Sequence, residues 1–359
     1  MKSIFSKEEV NTGRQIEVDI AKAICIIGMV IVHCFEMYCW EDAVVDTTIQ
    51  FVFIYILNTI FGASTFMFCM GVGLAYTKKD NPHQTIKRGI LIFVLGYLLS
   101  LLCGLGYIVL LHNMEYFILT ILIPDILQFA GLALILFGLL KKLKLPDWGI
   151  GVVAIVMSII GTILRGIETS NVLSIFFLGM FAGIHDSEFF CAPFPLLNWF
   201  IFVIAGYCFA KLLRRSNNRG RLYCYFSVVS AIVVIAYILI MLPTKSGLLG
   251  NIFCFNTIAT WDVLICIAGA LSVLGLYHLV SKIISEKVAI ILTNVSRNIT
   301  IIYFIQWVLI VWIRGFLMSK GISQLSDGVL LLGGLILFVI SALLAKLIVT
   351  VRLRTGKGA

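Results

Sequence analysis

The sequence predicts an all-α integral membrane protein, and three observations lead to that prediction. First, 61% of the 359 residues are hydrophobic and only 13% are charged, with a mean hydropathy of +1.07. A soluble domain of this length cannot bury so much apolar surface. Second, about ten apolar runs approach the roughly 20 residues that a helix needs to cross a bilayer. Third, basic residues cluster in alternate connections between those runs. We therefore expect a polytopic helix bundle, a single membrane domain over residues 1–359.

The order of the runs along the chain predicts their orientation. The runs lie at 18–40, 49–76, 88–111, 117–140, 147–165, 196–213, 222–242, 257–280, 289–314 and 328–350. If the first run begins inside, every even-numbered connection carries Lys and Arg clusters, whereas the odd-numbered connections are acidic or nearly neutral. The positive-inside rule then predicts that segments 1–16 and 351–359 are cytoplasmic, in a protein of the plasma membrane. The same rule accounts for the net charge of +9, so no nucleic-acid partner is expected.

The apolar segment 171–183 does not fit this scheme. It has only thirteen residues, contains two glycines, and would reverse the orientation of every later connection if it crossed the membrane. We therefore predict that it is a re-entrant or interfacial segment.

The first run contains an unusual stripe of ionisable residues. Its members are Asp19, Lys22, His33 and Glu36. At about 100° per residue, all four fall within an arc of roughly 100° on one helix face. Charged groups in hydrocarbon cost several kcal/mol each, so the stripe is expected to face protein or a water-filled interior. Lys22 and His33 are separated by three turns, or about 16 Å along the axis. The stripe predicts a functional site.

The chemistry of these side chains indicates a role for each of them. Imidazole, with an unperturbed pKa near 6.5, is the usual proton acceptor at neutral pH, which favours His33 as a general base. Glu36 lies one turn further along and could orient the ring or hold its proton. Lys22 lies near the cytoplasmic mouth, where an anionic co-substrate would arrive. Alternatively, Asp19 and Lys22 form an ordinary i,i+3 pair, and His33 is only a hydrogen-bonded residue of the bundle.

A second polar interruption lies inside the fourth run, where Pro124 is followed by Asp125 and Gln128. The two polar side chains share a helix face at i,i+3 spacing, so they could form a second wall of the same cavity and bind the acceptor. Alternatively, Pro124 begins a helix and Asp125 favours its N-terminal dipole.

Other polar residues lie near the ends of the runs. On the predicted cytoplasmic side, Lys78, Lys79, Arg88 and Arg297 are candidates for phosphate binding, although positive-inside placement and helix capping explain them equally well. On the opposite side, Asp186 and Asp262 are candidates for contact with a polar acceptor, and solvated helix ends are the alternative.

The sequence gives no support for metal or nucleotide chemistry. The ten cysteines lack CxxC spacing and neighbouring histidines, so neither a metal site nor a disulfide framework is expected. P-loop, GxGxxG and HExxH patterns are also absent, which leaves ATP-driven transport, nucleotide oxidoreduction and metallopeptidase activity without support.

Several stretches resemble a known family. Lys22 and His33, with ten residues between them, match the first-helix signature of the membrane acyltransferase 3 superfamily. The full stretch is closer still to the heparan-α-glucosaminide N-acetyltransferase catalytic-domain family and its bacterial relatives. Five segments resemble that family in the correct order: RQIEVDIAKAICIIGMVIVHCFE, FMFCMGVGLAYTKK, LIPDILQFAGLALIL, FFCAPFPLLNWFIFVIAGYCFA and NVSRNITIIYFIQ.

The chain departs from the family pattern at four positions. Lys22 stands where arginine is common, Ala23 where glycine is usual, Asn198 where proline precedes the tryptophan, and Gln306 where relatives often carry histidine. Lysine in place of arginine weakens any bidentate phosphate contact.

The resemblance implies a transmembrane acyltransferase. Such an enzyme moves an acetyl or other acyl group from cytoplasmic acyl-CoA, a co-substrate rather than a permanently bound cofactor, to an acceptor on the other face. The acceptor is a hydroxyl or amine, commonly of a glycan. By resemblance His33 is catalytic, Lys22 is the matching basic residue and Trp199 lies on the acceptor side. The oligomeric state stays open, a homo-oligomer included. Two alternatives remain: a proton-coupled transporter that uses Lys22, His33 and Glu36 as a relay, or an inactive scaffold.

Overall fold

A computed structural model describes residues 4–38, 62–77, 81–165, 167–169, 171–183, 193–241, 258–322 and 324–354. This part of the chain is helical. Its helices are α1 Ile16–Tyr38, α2 Ala63–Ala75, α3 Pro82–Leu111, α4 Met114–Leu122, α5 Ile126–Lys142, α6 Asp147–Leu164, α7 Val172–Ala182, α8 Leu196–Arg215, α9 Arg219–Met241, α10 Thr260–Val280, α11 Glu286–Arg297, α12 Ile299–Ser319 and α13 Asp327–Arg354.

The helices confirm the predicted class of fold. Within the described ranges, nine helical stretches are long and apolar enough to cross a membrane: α1, α3, α4 with α5, α6, α8, α9 as far as Tyr237, α10, α12 and α13. The protein is therefore an all-α polytopic membrane protein. The predicted second run, 49–76, is described only from residue 62 onwards, where α2 supplies thirteen apolar residues. In the segment 171–183, α7 has eleven residues and rises about 16 Å, roughly half of the hydrocarbon thickness.

Two of the predicted continuous runs are interrupted in the structure. The fourth run breaks before Pro124, so that α4 ends at Leu122 and α5 begins at Ile126. The ninth run breaks at Asn298, which separates α11 from α12. With 21 residues, α12 rises about 31 Å and can cross the bilayer without help from α11.

The polar helix α1 is an inner helix of the bundle. It packs against α2, α10, α11, α12 and α13. Most of its apolar side chains are buried, including Ile26, Val30 and Phe35. Because other helices surround α1 on most sides, its ionisable stripe faces protein rather than lipid.

A close helix crossing joins α2 to α8 through two glycines. A Cβ added to Gly71 would stand 1.8 Å from the carbonyl oxygen of Val203, and one added to Gly206 would stand 1.9 Å from that of Phe68. Only hydrogen atoms fit between the two backbones. The crossing matters for the site because α2 packs directly on α1.

We expect Gly206→Ala to destabilise the protein strongly, because the new methyl group meets backbone that cannot rotate away. Overpacking in a protein interior typically costs about 1–3 kcal/mol. Thermal unfolding in detergent measures the effect. Gly151→Ala is the matched control, since a Cβ on Gly151 meets nothing within 4 Å. Equal unfolding temperatures for the two variants would contradict the close crossing.

An arm formed by residues 4–14 packs on the connection between α8 and α9. The Asn11 side-chain amide donates to the carbonyl oxygens of Leu213 and Ser216, at 2.9 and 2.5 Å. The Val10 amide donates to the carbonyl of Arg214 at 2.8 Å. These bonds add partners for carbonyl groups at the end of α8, where the helix itself supplies few donors. The arm thereby fixes the point at which α1 begins.

Candidate active site

The imidazole of His33 is held between α1 and α12. Its Nδ1 lies 3.3 Å from Oε1 and 3.2 Å from Nε2 of the Gln306 amide, and the Gln306 side chain is 0% exposed. The indole of Trp307 lies against the ring, with centroids 4.2 Å apart and planes tilted by 31°. The Tyr303 ring approaches edge-on at 6.1 Å. Hydrogen bonding and ring packing therefore fix the orientation of the imidazole.

The other ring nitrogen of His33 has no hydrogen-bond partner among the described residues. The side chain is half-buried, and Nε2 keeps accessible surface while making no hydrogen bond with any residue that the structure describes. When Gln306 Oε1 accepts the proton of Nδ1–H, the lone pair lies on Nε2. This is the arrangement that a general base requires: one nitrogen held and the other available to a substrate proton.

A carboxylate from α5 meets α12 beside this ring. The Tyr303 hydroxyl donates to Oδ2 of Asp125, while Oδ1 accepts from the backbone amide of Ile126 at 2.7 Å. Glu36 is exposed, Asp125 is half-buried, and the two carboxyl groups are close enough to repel each other electrostatically. The structure thus brings together three residues that the sequence analysis selected: His33, Glu36 and Asp125.

At the other end of the stripe, Asp19 does not pair with Lys22. Its carboxylate accepts two bonds from the Arg14 guanidinium, at 2.5 and 2.8 Å, and one from the Ser296 hydroxyl at 2.6 Å. The alternative of an ordinary Asp19–Lys22 pair is therefore wrong. Arg14, from the end of the arm, has the fork geometry that binds a carboxylate through two bonds.

The Lys22 ammonium is left without a counter-charge in contact. Lys22 is half-buried, and its Nζ makes no hydrogen bond or ion pair within the described ranges. It lies beside α2, at 3.7 Å from the position of a Cβ on Gly73. Asp19 attracts it electrostatically, whereas Arg88 and Arg14 repel it. Because Arg14 already binds Asp19, Lys22 and Arg88 supply the excess positive charge at this end of α1, which favours an anion.

Comparison with known proteins identifies the family. Residues 14–239 match the family model described as "Heparan-alpha-glucosaminide N-acetyltransferase, catalytic". The chain belongs to this family. No curated protein sequence and no solved structure matches the chain significantly. The heparan-α-glucosaminide N-acetyltransferase family consists of membrane acetyltransferases, and the matched range contains Lys22, His33 and Asp125 of this member.

Gln128 has a structural function in this family member. Its side chain is 1% exposed, accepts from the Asp125 amide at 3.1 Å, and donates to the Ser100 hydroxyl at 3.1 Å. With Asp125 it forms a capping box at the start of α5. The alternative that placed Asp125 at the N-terminal end of a helix therefore fits the structure, although the helix begins at Ile126 and not at Pro124. The bond to Tyr303 is additional.

The remaining predicted residues lie apart from the His33 cluster or outside the described ranges. Lys78, Lys79 and Asp186 lie outside them. Arg88 and Arg297 are exposed, on α3 and at the end of α11.

Two of the residues that were predicted to bind the acceptor are buried in the bundle. Trp199 is fully buried between the rings of Phe194 and Phe202. Asp262, also fully buried, accepts from the Ala259 amide at 3.1 Å at the start of α10. Neither side chain offers surface to an acceptor in this conformation.

No role was predicted for the α12 residues of the site, although Gln306 was noted as standing where relatives often carry histidine. Tyr303, Gln306 and Trp307 occur at i, i+3 and i+4 spacing, which places them on one helix face. That spacing of polar and aromatic residues in an apolar helix was the available signal. All three lie beyond the range that matches the family model.

Proposed function

We propose that this family member transfers an acyl group from acyl-CoA to a hydroxyl or amine of a polar acceptor, with His33 as general base. One observation carries the proposal: the His33 ring is clamped through Nδ1, while Nε2 is open. The family description names an acetyltransferase that acts on a glucosaminide, which supports an acetyl group as the acyl group and a glycan as the acceptor class. Acetyl-CoA is the donor that we propose. We place the enzyme in the plasma membrane with both termini cytoplasmic, on the basis of the positive-inside rule.

The donor is proposed to enter beside Lys22. The phosphate groups of CoA would contact the unpaired Lys22 ammonium and Arg88, which is close to it. Three further basic residues on the predicted cytoplasmic side could also contact the phosphates: Lys78, Lys79 and Arg297. His33 lies three turns further along α1, about 16 Å away. An extended pantetheine arm can cover that distance, which would bring the thioester to the imidazole.

The reaction uses the open nitrogen of His33. Nε2 takes the proton from the acceptor as its oxygen or nitrogen bonds to the thioester carbonyl carbon. The carbon–sulfur bond then breaks, and CoA leaves as a thiolate that takes up the proton. Glu36, one turn beyond His33 on α1, and Asp125, bonded to Tyr303, would accept hydrogen bonds from the acceptor.

Incubation of purified protein with acetyl-CoA labelled in the acetyl group tests the function. We expect release of CoA thiol and label in a polar acceptor. Proton-coupled uptake of a metabolite into liposomes, without any loss of thioester, would support the transporter instead. Family membership favours the enzyme.

We expect Lys22→Met to raise the KM for acyl-CoA about tenfold or more. A hydrogen bond to a charged group contributes about 1.5–3 kcal/mol, and about 1.4 kcal/mol corresponds to a factor of ten. Lys22→Arg should retain most of the affinity. Lys346→Met is the matched control, because Lys346 is an exposed lysine on α13. An unchanged KM in Lys22→Met would contradict the proposed donor site.

A further inference from the structure

Helix α11 is too short to span the membrane, and it touches the core mainly through the partly buried Val295. It has twelve residues, of which only Ser296 is buried. It rises about 18 Å between α10, which ends at Val280, and α12, which begins at Ile299. Most of it lies within the predicted ninth run, 289–314, so the break at Asn298 leaves an additional helix.

The exposed surface of α11 has two different sides. At 100° per residue, Val288 and Ile291 lie on one side, about 60° apart, and they are 42% and 60% exposed. Glu286 and Arg297 are exposed on the opposite side, where Ile290 is also 53% exposed, and Asn294 lies between the two sides. A helix with one apolar and one polar exposed side is typical of a helix at a membrane surface.

A third side attaches α11 to α1. The Ser296 hydroxyl donates to Asp19 at 2.6 Å, and the Thr293 hydroxyl donates to the same carboxylate at 3.4 Å. Asp19 lies one turn before Lys22. The position of α11 is therefore fixed relative to α1.

The positions of α10 and α12 indicate what covers the apolar side of α11. Because α10 and α12 both cross the membrane and both lead directly to α11, this helix lies at a bilayer boundary. Leu279 at the end of α10 and Ile283 in the connection are also exposed, so an apolar surface leads from the lipid-facing part of α10 to α11. Two exposed lysines, Lys282 and Lys287, accompany that surface.

We propose that α11 is an interfacial helix bound to anionic phospholipid. Val288 and Ile291 enter the acyl-chain boundary, and Lys282 and Lys287 contact lipid phosphates. Apolar area and attraction between cations and anionic headgroups both contribute to such binding. Through Asp19, the lipid surface then holds the part of α1 that carries Lys22. This inference rests on the membrane fold and is independent of the proposed chemistry.

Nitroxide labels on the two sides of α11 test the proposal. Ile291→Cys and Ile290→Cys are each made together with Cys224→Ser, which removes an exposed native cysteine. The labelled Cys224→Ser parent gives the background of the remaining cysteines. In phosphatidylcholine–phosphatidylglycerol vesicles, the label at position 291 should be more accessible to oxygen than to a water-soluble nickel chelate. The label at position 290, about 100° away on the polar side, should show the reverse.

Two results would overturn the proposal. If the chelate reaches both labels equally, α11 lies in water. If neither oxygen nor the chelate reaches position 291, a protein surface covers it. Thermal unfolding of each variant against the parent shows whether the fold is retained.

Varying the lipid composition tests whether Lys282 and Lys287 contact anionic headgroups. Adding phosphatidylglycerol should shift the accessibility of the label at position 291 towards oxygen, and Lys282→Gln with Lys287→Gln should remove that shift. Lys320→Gln, at the end of α12, is the control and should leave the shift unchanged. A shift that persists without both lysines would contradict the proposed contact with anionic headgroups.

Discussion

His33→Gln is expected to reduce acyl transfer by at least about a hundredfold, the lower end of what a positioned general base contributes. Glutamine can still bond to the Gln306 amide, but it has no nitrogen that accepts a proton at neutral pH. The acceptor would then have to lose its proton to water while it attacks the thioester. The rate of CoA thiol release under saturating acetyl-CoA measures the effect.

Two controls separate this effect from a loss of folding. Elution volume and unfolding temperature of His33→Gln should match those of the unaltered protein, since the side chain is only half-buried. His83→Gln changes an exposed histidine at the start of α3 and should retain full activity. Full activity in His33→Gln would exclude His33 as the base, even if the protein proves to be an acyltransferase.

Gln306→Leu is expected to lower kcat about ten- to a hundredfold with little change in the KM for acyl-CoA. Leucine has a similar volume but cannot bond to Nδ1, so the tautomer and the orientation of the His33 ring are no longer fixed. In metal sites, mutating a residue that hydrogen-bonds to a metal-binding histidine typically lowers metal affinity or activity by a factor of this size. Steady-state kinetics with separate kcat and KM values provide the measurement.

The conservative variant and a structural glutamine complete this test. Gln306→Glu keeps an acceptor for Nδ1–H and should retain more activity than Gln306→Leu. Gln128→Leu removes a buried glutamine of the α5 capping box and should lower the unfolding temperature through the loss of two hydrogen bonds. If Gln306→Leu lowers stability without lowering kcat, Gln306 is a packing residue and does not position the base.

The sequence was informative about the site where the relevant residues share one helix. Lys22, His33 and Glu36 lie within a single run, and helical periodicity is sufficient to place them on one face. Asp125 was selected because a proline and a carboxylate are conspicuous inside an apolar run. Neither argument could identify Gln306, which is separated from His33 by 273 residues. Contacts at that separation depend on how helices pack, and local patterns contain no information about it.

The same limit explains the wrong interpretation of Asp19. Its spacing from Lys22 favours an i,i+3 pair, worth about 0.2–0.5 kcal/mol on an isolated helix. In the bundle, the Arg14 guanidinium and the Ser296 hydroxyl bind the carboxylate at short distance. Several stronger bonds outcompete one weak local pair.

The sequence by itself determined the class of fold, the approximate positions of the spans and the polar face of α1. These features follow from local composition, because the cost of burying polar groups in lipid acts on each segment separately. The tertiary structure decided the helix breaks at Pro124 and Asn298, the partners of Asp19, and the clamp on His33. Those features depend on side chains from helices that are distant in the chain, and packing brings them together only when the whole bundle has formed.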